Sequence, residues 1–246
     1  RPPINPKPFY KGTMTNWILG SASPRRMDLL RLTGHPFTVQ TADVEEPVLY
    51  PGDPAESALA LAKRKHDALL QERKHTYSKA DDTRATTKVP IDVSTKATTK
   101  TTSANTFLIT ADTMVFADGT ILNKPIDPPD AHRMLRFLSG RMHEVVTAVV
   151  LSISDSQGTI SKKEAFTETT RVYFHELSDE EIHEYVASGS PMDKAGSYGI
   201  QDDRGAFFVR RIEGDYYNVV GFPLQAFYQI LKQSFTEEYR QCFFTV

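Results

Sequence analysis

The 246-residue sequence holds one cysteine, Cys242, so no disulfide can form within the chain and a cysteine-rich zinc site is excluded. Its place beside Phe243 and Phe244 reads as a buried or tail thiol rather than a nucleophile. No apolar run approaches the ~20 residues of a membrane-spanning helix, and no signal-peptide pattern opens the chain. Neither sign of charge dominates. Twenty-nine lysines and arginines against 31 aspartates and glutamates leave a net charge of −2, which argues against a general grip on DNA or RNA. Only residues 63–74 hint at a local basic patch. The seven histidines are scattered and none has the two-histidine spacing of a zinc protease helix. There is no Walker-A glycine loop and no Gly-x-Ser-x-Gly elbow, which removes motor ATPase and serine hydrolase chemistry. These absences leave a soluble cytoplasmic protein with neither nucleic acid nor membrane as partner.

Hydrophobic content of 39% is low for a compact domain, and one segment accounts for most of the deficit. Residues 71–105 are rich in Thr, Lys, Asp and Ser, with no aromatic after Tyr77 and no sustained period. Such a stretch cannot offset its ordering entropy by burial, so it reads as a mobile insertion. Residues 1–13, with four prolines, read as a disordered leader, leaving 14–246 as one domain around that insertion. Elsewhere helical and strand patterns interleave. Trp17-Ile18-Leu19 reads as a strand; Ser23 and Pro24 suit the N-cap and first position of a helix that Gly34 stops. Phe37, Val39 and Thr41 alternate toward Glu45-Glu46. Asp53, Pro54 and Glu56 open a second helix, with an apolar stripe at Ala58, Leu61, Ala62, Ala68 and Leu69.

Further on, Phe107–Phe116 is a strongly apolar strand, turned back at Asp118-Gly119 into Thr120-Ile121-Leu122. A helix is predicted over Pro129–Leu138, strands over Val145–Ile153 and Thr167–Phe174, and a capping box at Ser178 and Glu181. A strand over Phe207–Ile212 and a last helix ending near Gln233 complete the reading. The class is α/β with a mixed, twisted sheet flanked by helices.

The chemistry starts at Ser21-Ala22-Ser23-Pro24-Arg25-Arg26. Two hydroxyls, free backbone N–H groups at a helix start and two guanidinium groups make an anion site, suited to a polyphosphate. Taken alone, the hexapeptide is equally an ordinary helix start with two solvated arginines. Lys65 falls on the apolar stripe of the second helix, which is costly unless it snorkels or meets an anion. Asp112 sits within an apolar strand, where aspartate is disfavoured. It is either a strand aspartate accepting backbone bonds or a functional carboxylate. Glu45 and Glu46 offer a second carboxylate, and the predicted hairpin brings Lys124 near Asp112. Two carboxylates ringed by Arg25, Arg26, Lys65 and Lys124 suit metal-assisted attack of water on a polyphosphate. His143 is read as structural.

Taken in order, eight segments resemble the Maf family of nucleotide pyrophosphatases, relatives of the inosine-triphosphate pyrophosphatases. They are Ser21–Arg26, Glu45-Glu46, Leu61–Lys65, Ala111-Asp112-Thr113, Asn123-Lys124-Pro125, Met134–Gly140, Asp193–Gln201 and Asn218–Leu224. The resemblance implies two lobes around a cleft and hydrolysis of a nucleoside triphosphate between the α and β phosphates, giving the monophosphate and pyrophosphate. It further implies a divalent cation, Mg²⁺ or Mn²⁺, and a homodimer. By position, Asp112 would activate water and Glu46 would help it hold the metal. Lys124 would join these two in catalysis, binding phosphate. Ser21, Arg25, Arg26, Lys65, Thr113 and Gln201 would bind substrate. Ala-Asp-Thr at 111–113 resembles the branch acting on dTTP, UTP and modified pyrimidine nucleotides; the 7-methyl-GTP branch typically has Ser-Asp-Gln there. Asp202-Asp203 depart from the glycine usual after Gln201, and Phe222 from leucine. A pyrophosphatase for ITP, XTP or 7-methyl-GTP and a non-catalytic nucleotide sensor that inhibits septum formation are the alternatives.

Overall fold

The computed structural model describes residues 15–44, 53–84, 105–202 and 204–243. The chain opens with β1 (Asn16–Leu19), α1 (Pro24–Arg31), β2 (Phe37–Val39), α2 (Pro54–Arg84), β3 (Thr106–Ala117) and β4 (Thr120–Leu122). Next come α3 (Pro128–Leu138), β5 (Met142–Ser154), β6 (Ile160–Phe174) and α4 (Asp179–Ala187). Two 3₁₀ turns (Ser190–Asp193 and Ala195–Ser197) lead to α5 (Gly205–Phe208), β7 (Val209–Glu213), α6 (Tyr216–Val220), α7 (Leu224–Ser234) and α8 (Thr236–Phe243).

Local chemistry explains most element ends. The Ser23 side chain caps α1 with Pro24 in its first turn, Asp53 Oδ1 accepts from the Glu56 N–H at 2.9 Å, and Ser178 and Glu181 form the full capping box. The turn between β3 and β4 has positive φ at both Asp118 and Gly119, the conformation that Asp-Gly favours in a hairpin.

The sheet runs β2-β1-β3-β5-β6-β7, with β4 also on β3. β1 is parallel to both neighbours, whereas β3, β5, β6 and β7 pair antiparallel. Side chains alternate cleanly along β3 and β5. Leu108 and Met114 of β3, with Val146, Ala148 and Val150 of β5, pack under α2. Phe107, Ile109 and Val115, with Val145, Val149 and Leu151, pack on the opposite face with α1, α3, α4 and α7. The result is a helix–sheet–helix sandwich whose central strand, β3, bears the apolar run predicted for it.

Three readings change. α2 runs on to Arg84, past residue 71 where the sequence places the start of an insertion. That stretch lacks an apolar period but is built from helix formers such as Gln71, Glu72, Arg73 and Lys74, so propensity extends the helix where burial does not. Residues 85–104, the leader 1–13 and Glu45-Glu46 lie outside the described residues. The alternation expected through Thr41 stops as a strand at Val39. Finally, Phe207 belongs to α5 rather than to a strand, with its side chain 80% exposed while Phe208 is buried.

His143 is a structural residue, as read. Its Nε2 lies 2.7 Å from the Tyr198 hydroxyl, and its ring meets Phe174 and Tyr198 edge-on. Burial pulls its imidazole down to about 3, against ~6.5 in an unfolded chain. Between those values the unfolded state binds the extra proton, so stability rises with pH across that window and is lost as pH falls through it. Urea midpoints are therefore expected to be flat above pH 7 and to drop below pH 6, His143 contributing up to about 1.4 kcal/mol per pH unit. Replacing His143 with glutamine should remove that share of the slope.

Candidate active site

The cleft exists because β3 is longer than its parallel neighbour. β1 pairs with β3 only from Thr106 to Ile109, and the last bond is Gly20 N–H to the Ile109 carbonyl at 2.7 Å. β4 takes up the same edge again at Val115. Between them, Thr110 to Met114 have no described strand on that side, while β5 pairs along the whole other edge. A cleft of about 640 Å³ fills the gap, within the usual range for a small-molecule site. Because it lies at a sheet edge, the cleft reaches both faces. Asp112 presents its side chain to the α2 face and Thr113 to the other.

Gly20 lets the chain turn away here. A Cβ at this position would lie 2.5 Å from Thr110 Cγ2 and 2.6 Å from Leu69 Cδ1. The loop that follows delivers Ser21 and the start of α1 to the cleft. The two arginines then diverge. Arg26 turns inward, donating from Nε to the Gly221 carbonyl at 2.9 Å, from Nη1 to Ser21 Oγ at 3.1 Å and from Nη2 to Thr113 Oγ1 at 2.8 Å. Burial pulls its guanidinium below the ordinary value, with the charge of Asp112 opposing the shift. Arg25 instead spans the cleft to Asp193, with Nη1 2.9 Å from Oδ2 and Nη2 3.2 Å from the carbonyl.

The hydroxyls behind Arg26 have a fixed order. Thr147 Oγ1 donates to the Asn218 carbonyl at 3.1 Å, so its 2.9 Å contact with Thr113 Oγ1 uses the Thr113 proton. Thr113 is left to accept from Arg26. On the α2 face, Lys65 Nζ lies 2.6 Å from Asp112 Oδ1, with side chains 29% and 11% exposed. The lysine on the apolar stripe has met its anion, and the aspartate within the apolar strand has met a cation.

The third wall is the segment from Ser190 to Gln201. Gly196 has a φ of +67°, and a Cβ there would lie 2.9 Å from Val115. Lys194 is buried, with Nζ 2.7 Å from Asp193 Oδ1 and 2.8 Å from Asp202 Oδ2. Burial pulls its ammonium down, but the hydrogen bonds and charges of the two aspartates outweigh this and leave it above the ordinary value. Burial likewise raises the Asp193 carboxyl, and Lys194 and Arg25 together hold it below its usual range. Asp202 is thus the counter-ion of a buried lysine. Asp203 lies outside the described residues.

Of the residues singled out in the sequence, Ser21, Arg25, Arg26, Lys65, Asp112, Thr113, Lys124 and Gln201 all line this one cleft. Lys124 and Gln201 are exposed on its rim; no contact joins Lys124 to Asp112, although both face the same space. Glu46 lies outside the described residues. Among the described residues no three His, Cys, Asp or Glu side chains converge as a metal cage. Asp193, Lys194, Thr147 and Asn218 carry parts of the site that the sequence reading did not assign. Two segments quoted for the resemblance contain Asp193, Lys194 and Asn218, a signal that could have found them. Thr147 sits within an apolar run and gives none.

The Maf-like protein family model matches residues 16–234. The "dTTP/UTP pyrophosphatase" of Bacillus cytotoxicus is 39% identical over 220 residues, covering 89% of this chain and 96% of that protein. The protein of the same name from Salinibacter ruber is 40% identical over 220 residues, covering 89% of this chain and 91% of its own length. That of Bacillus cereus strain AH820 is 37% identical over 220 residues, at 89% and 96% coverage.

Proposed function

The chain belongs to the Maf family, and from that premise we propose that it hydrolyses dTTP, UTP and modified pyrimidine nucleotides at the α–β phosphate bond, releasing the monophosphate and pyrophosphate. One observation carries this reading: an aspartate–lysine pair and an arginine-backed helix N-terminus face each other across a gap in one sheet edge. Phosphate oxygens would meet the start of α1, the Ser21 hydroxyl and the N–H groups of Arg26 not used in its internal bonds. Lys124, exposed on the opposite rim, adds a charge that needs no desolvation to reach them.

In this reading Asp112 takes the proton of an attacking water. Lys65 holds the carboxylate in one orientation through Oδ1, and burial keeps bulk water from competing. The new phosphorus–oxygen bond forms as the α–β anhydride bridge breaks and pyrophosphate departs. A divalent cation suits this donor set, since Mg²⁺ is usually held by one or two carboxylates plus substrate phosphates rather than by a protein cage. Asp112 would supply one carboxylate, and Glu46 joins it on the resemblance alone. Such an ion, when bound, neutralises charge on the leaving phosphates. A homodimer belongs to the same reading and rests on the family resemblance, and a cytoplasmic location rests on the sequence pattern alone; sedimentation velocity tests the dimer.

The test is pyrophosphate release from a panel of nucleotides with Mg²⁺, with Mn²⁺ and with EDTA. We expect kcat/KM for dTTP and UTP to exceed that for ITP, XTP and 7-methyl-GTP by at least about tenfold. Chelation should reduce all rates to background. Faster turnover of ITP or XTP would reassign the substrate class. Binding without release from any nucleotide would replace the enzyme with a sensor.

A further inference from the structure

The residue after Lys65 is a histidine that the reaction does not use. His66 is 0% exposed, as is Thr110 on β3, and Ser152 on β5 is 1% exposed. The imidazole bridges the two strands, with Nδ1 3.0 Å from Thr110 Oγ1 and Nε2 2.8 Å from Ser152 Oγ. Thr110 Oγ1 also donates to the Ala62 carbonyl one turn earlier in α2, at 3.2 Å. That bond uses the threonine proton, so Nδ1 carries the ring hydrogen and Nε2 accepts from Ser152. The three side chains are mutually satisfied within an apolar layer. Burial, with Lys163 adding to it, holds the ring down at about 3, so it is neutral at working pH.

Stability alone does not account for such a triad. A buried hydrogen bond is worth little net, and apolar replacements of similar volume often pack as well. Direction is what an apolar contact would not supply. The α2 face against the sheet carries Ala58 and Ala62 between Leu61 and Leu69, and non-directional apolar contacts of this kind do not by themselves single out one rotation of the helix. Lys65 and His66 stand ~100° apart around α2. Their partners, Asp112 and Thr110, are two residues apart on one face of β3, ~7 Å along the strand. We infer that His66 is a positioning residue: by fastening α2 to β3 and β5, it sets the rotation at which Lys65 meets Asp112. As a role in turnover, this rests on the reaction proposed above; as geometry, it does not.

Two variants separate positioning from packing. H66N keeps an amide N–H within reach of Thr110, whereas H66M fills the space without a donor. A purely structural role predicts that function follows thermal stability, with H66M at least as stable as H66N because it buries no unpaired amide. Positioning predicts the reverse order for function. The geometric readout is acylation of Lys65 in the folded protein by a succinimidyl ester, followed by peptide mass spectrometry. The kinetic readout is pyrophosphate release from dTTP. We expect Lys65 to react about fivefold faster in H66M than in wild type, and near the wild-type rate in H66N. In H66M, kcat should fall about tenfold with KM nearly unchanged, and H66N should recover most of it. Labelling at the wild-type rate in H66M, or labelling that tracks melting temperature across both variants, overturns the inference. If wild type releases no pyrophosphate, the reaction assignment fails and the labelling still decides the geometry.

Discussion

Replacing Asp112 with asparagine is expected to lower kcat for pyrophosphate release about 10³-fold while leaving nucleotide binding and the fold in place. The magnitude is that of a lost general base within a desolvated site. Asparagine has the same shape and still presents an oxygen toward Lys65, so the contact that is 2.6 Å in the native chain becomes an ordinary hydrogen bond rather than an ion pair. The groups proposed to grip phosphate lie on the other face of the sheet or on the rim, and do not contact Asp112. Affinity for dTTP, read by calorimetry in EDTA so that no cation links Asp112 to the phosphates, should therefore change by no more than a few-fold. Turnover that survives the substitution would remove Asp112 from the chemistry.

Arg26→Ala should have a broader effect, because Arg26 joins three elements as well as facing the cleft. Its removal strips hydrogen bonds from the Gly221 carbonyl, Ser21 Oγ and Thr113 Oγ1. Water can reach some of these groups, so a loss of about 2 kcal/mol in stability is expected rather than the full cost of three charge-assisted bonds. For turnover, kcat/KM should fall about 10³-fold, as the α1 wall loses both its order and a fixed positive charge. Arg26→Lys should recover less than tenfold of this, since a single ammonium cannot span three acceptors as a planar guanidinium does. Arg25→Ala is the control. Its partner Asp193 is 56% exposed and the pair is reached by solvent, so the unfolding free energy from urea titration should change by no more than about 1 kcal/mol.

Where a residue acts through its own backbone or its near neighbours, the sequence was sufficient. Ser23 and Pro24 begin a helix, Asp118-Gly119 reverse a strand, and Ser178 with Glu181 cap α4, each by contacts within three or four residues. The site was legible for another reason. Asp112 and Lys65 are costly where they stand unless each finds an opposite charge, so their misplacement in the apolar pattern was itself the signal. Relations between distant segments were not legible. Nothing in the sequence pairs Asp202 with Lys194, eight positions back and buried beside it. Helices α5 and α6 have four and five residues, too short to show a period or to persist alone. α6 is held by tertiary contacts, with Asn218 Nδ2 donating to the Val145 carbonyl at 2.9 Å. α8 was missed because five of its eight residues are polar or charged, and Glu238 is buried where Thr15 donates to it at 3.0 Å.

β3 serves as a ruler. The loop that follows β1 leaves it at Ile109 and the β4 hairpin returns to it at Val115, so the spacing between the Ser21 wall and the Lys124 rim is counted out in residues of one strand. One residue inserted between those marks would slide the two walls apart by ~3.3 Å and turn Asp112 toward the face that now holds Thr113. Length added between α2 and β3 lies before the first mark and leaves the count unchanged. A lineage is thus free to lengthen the chain there, whereas the few residues from Ile109 to Val115 admit neither gain nor loss.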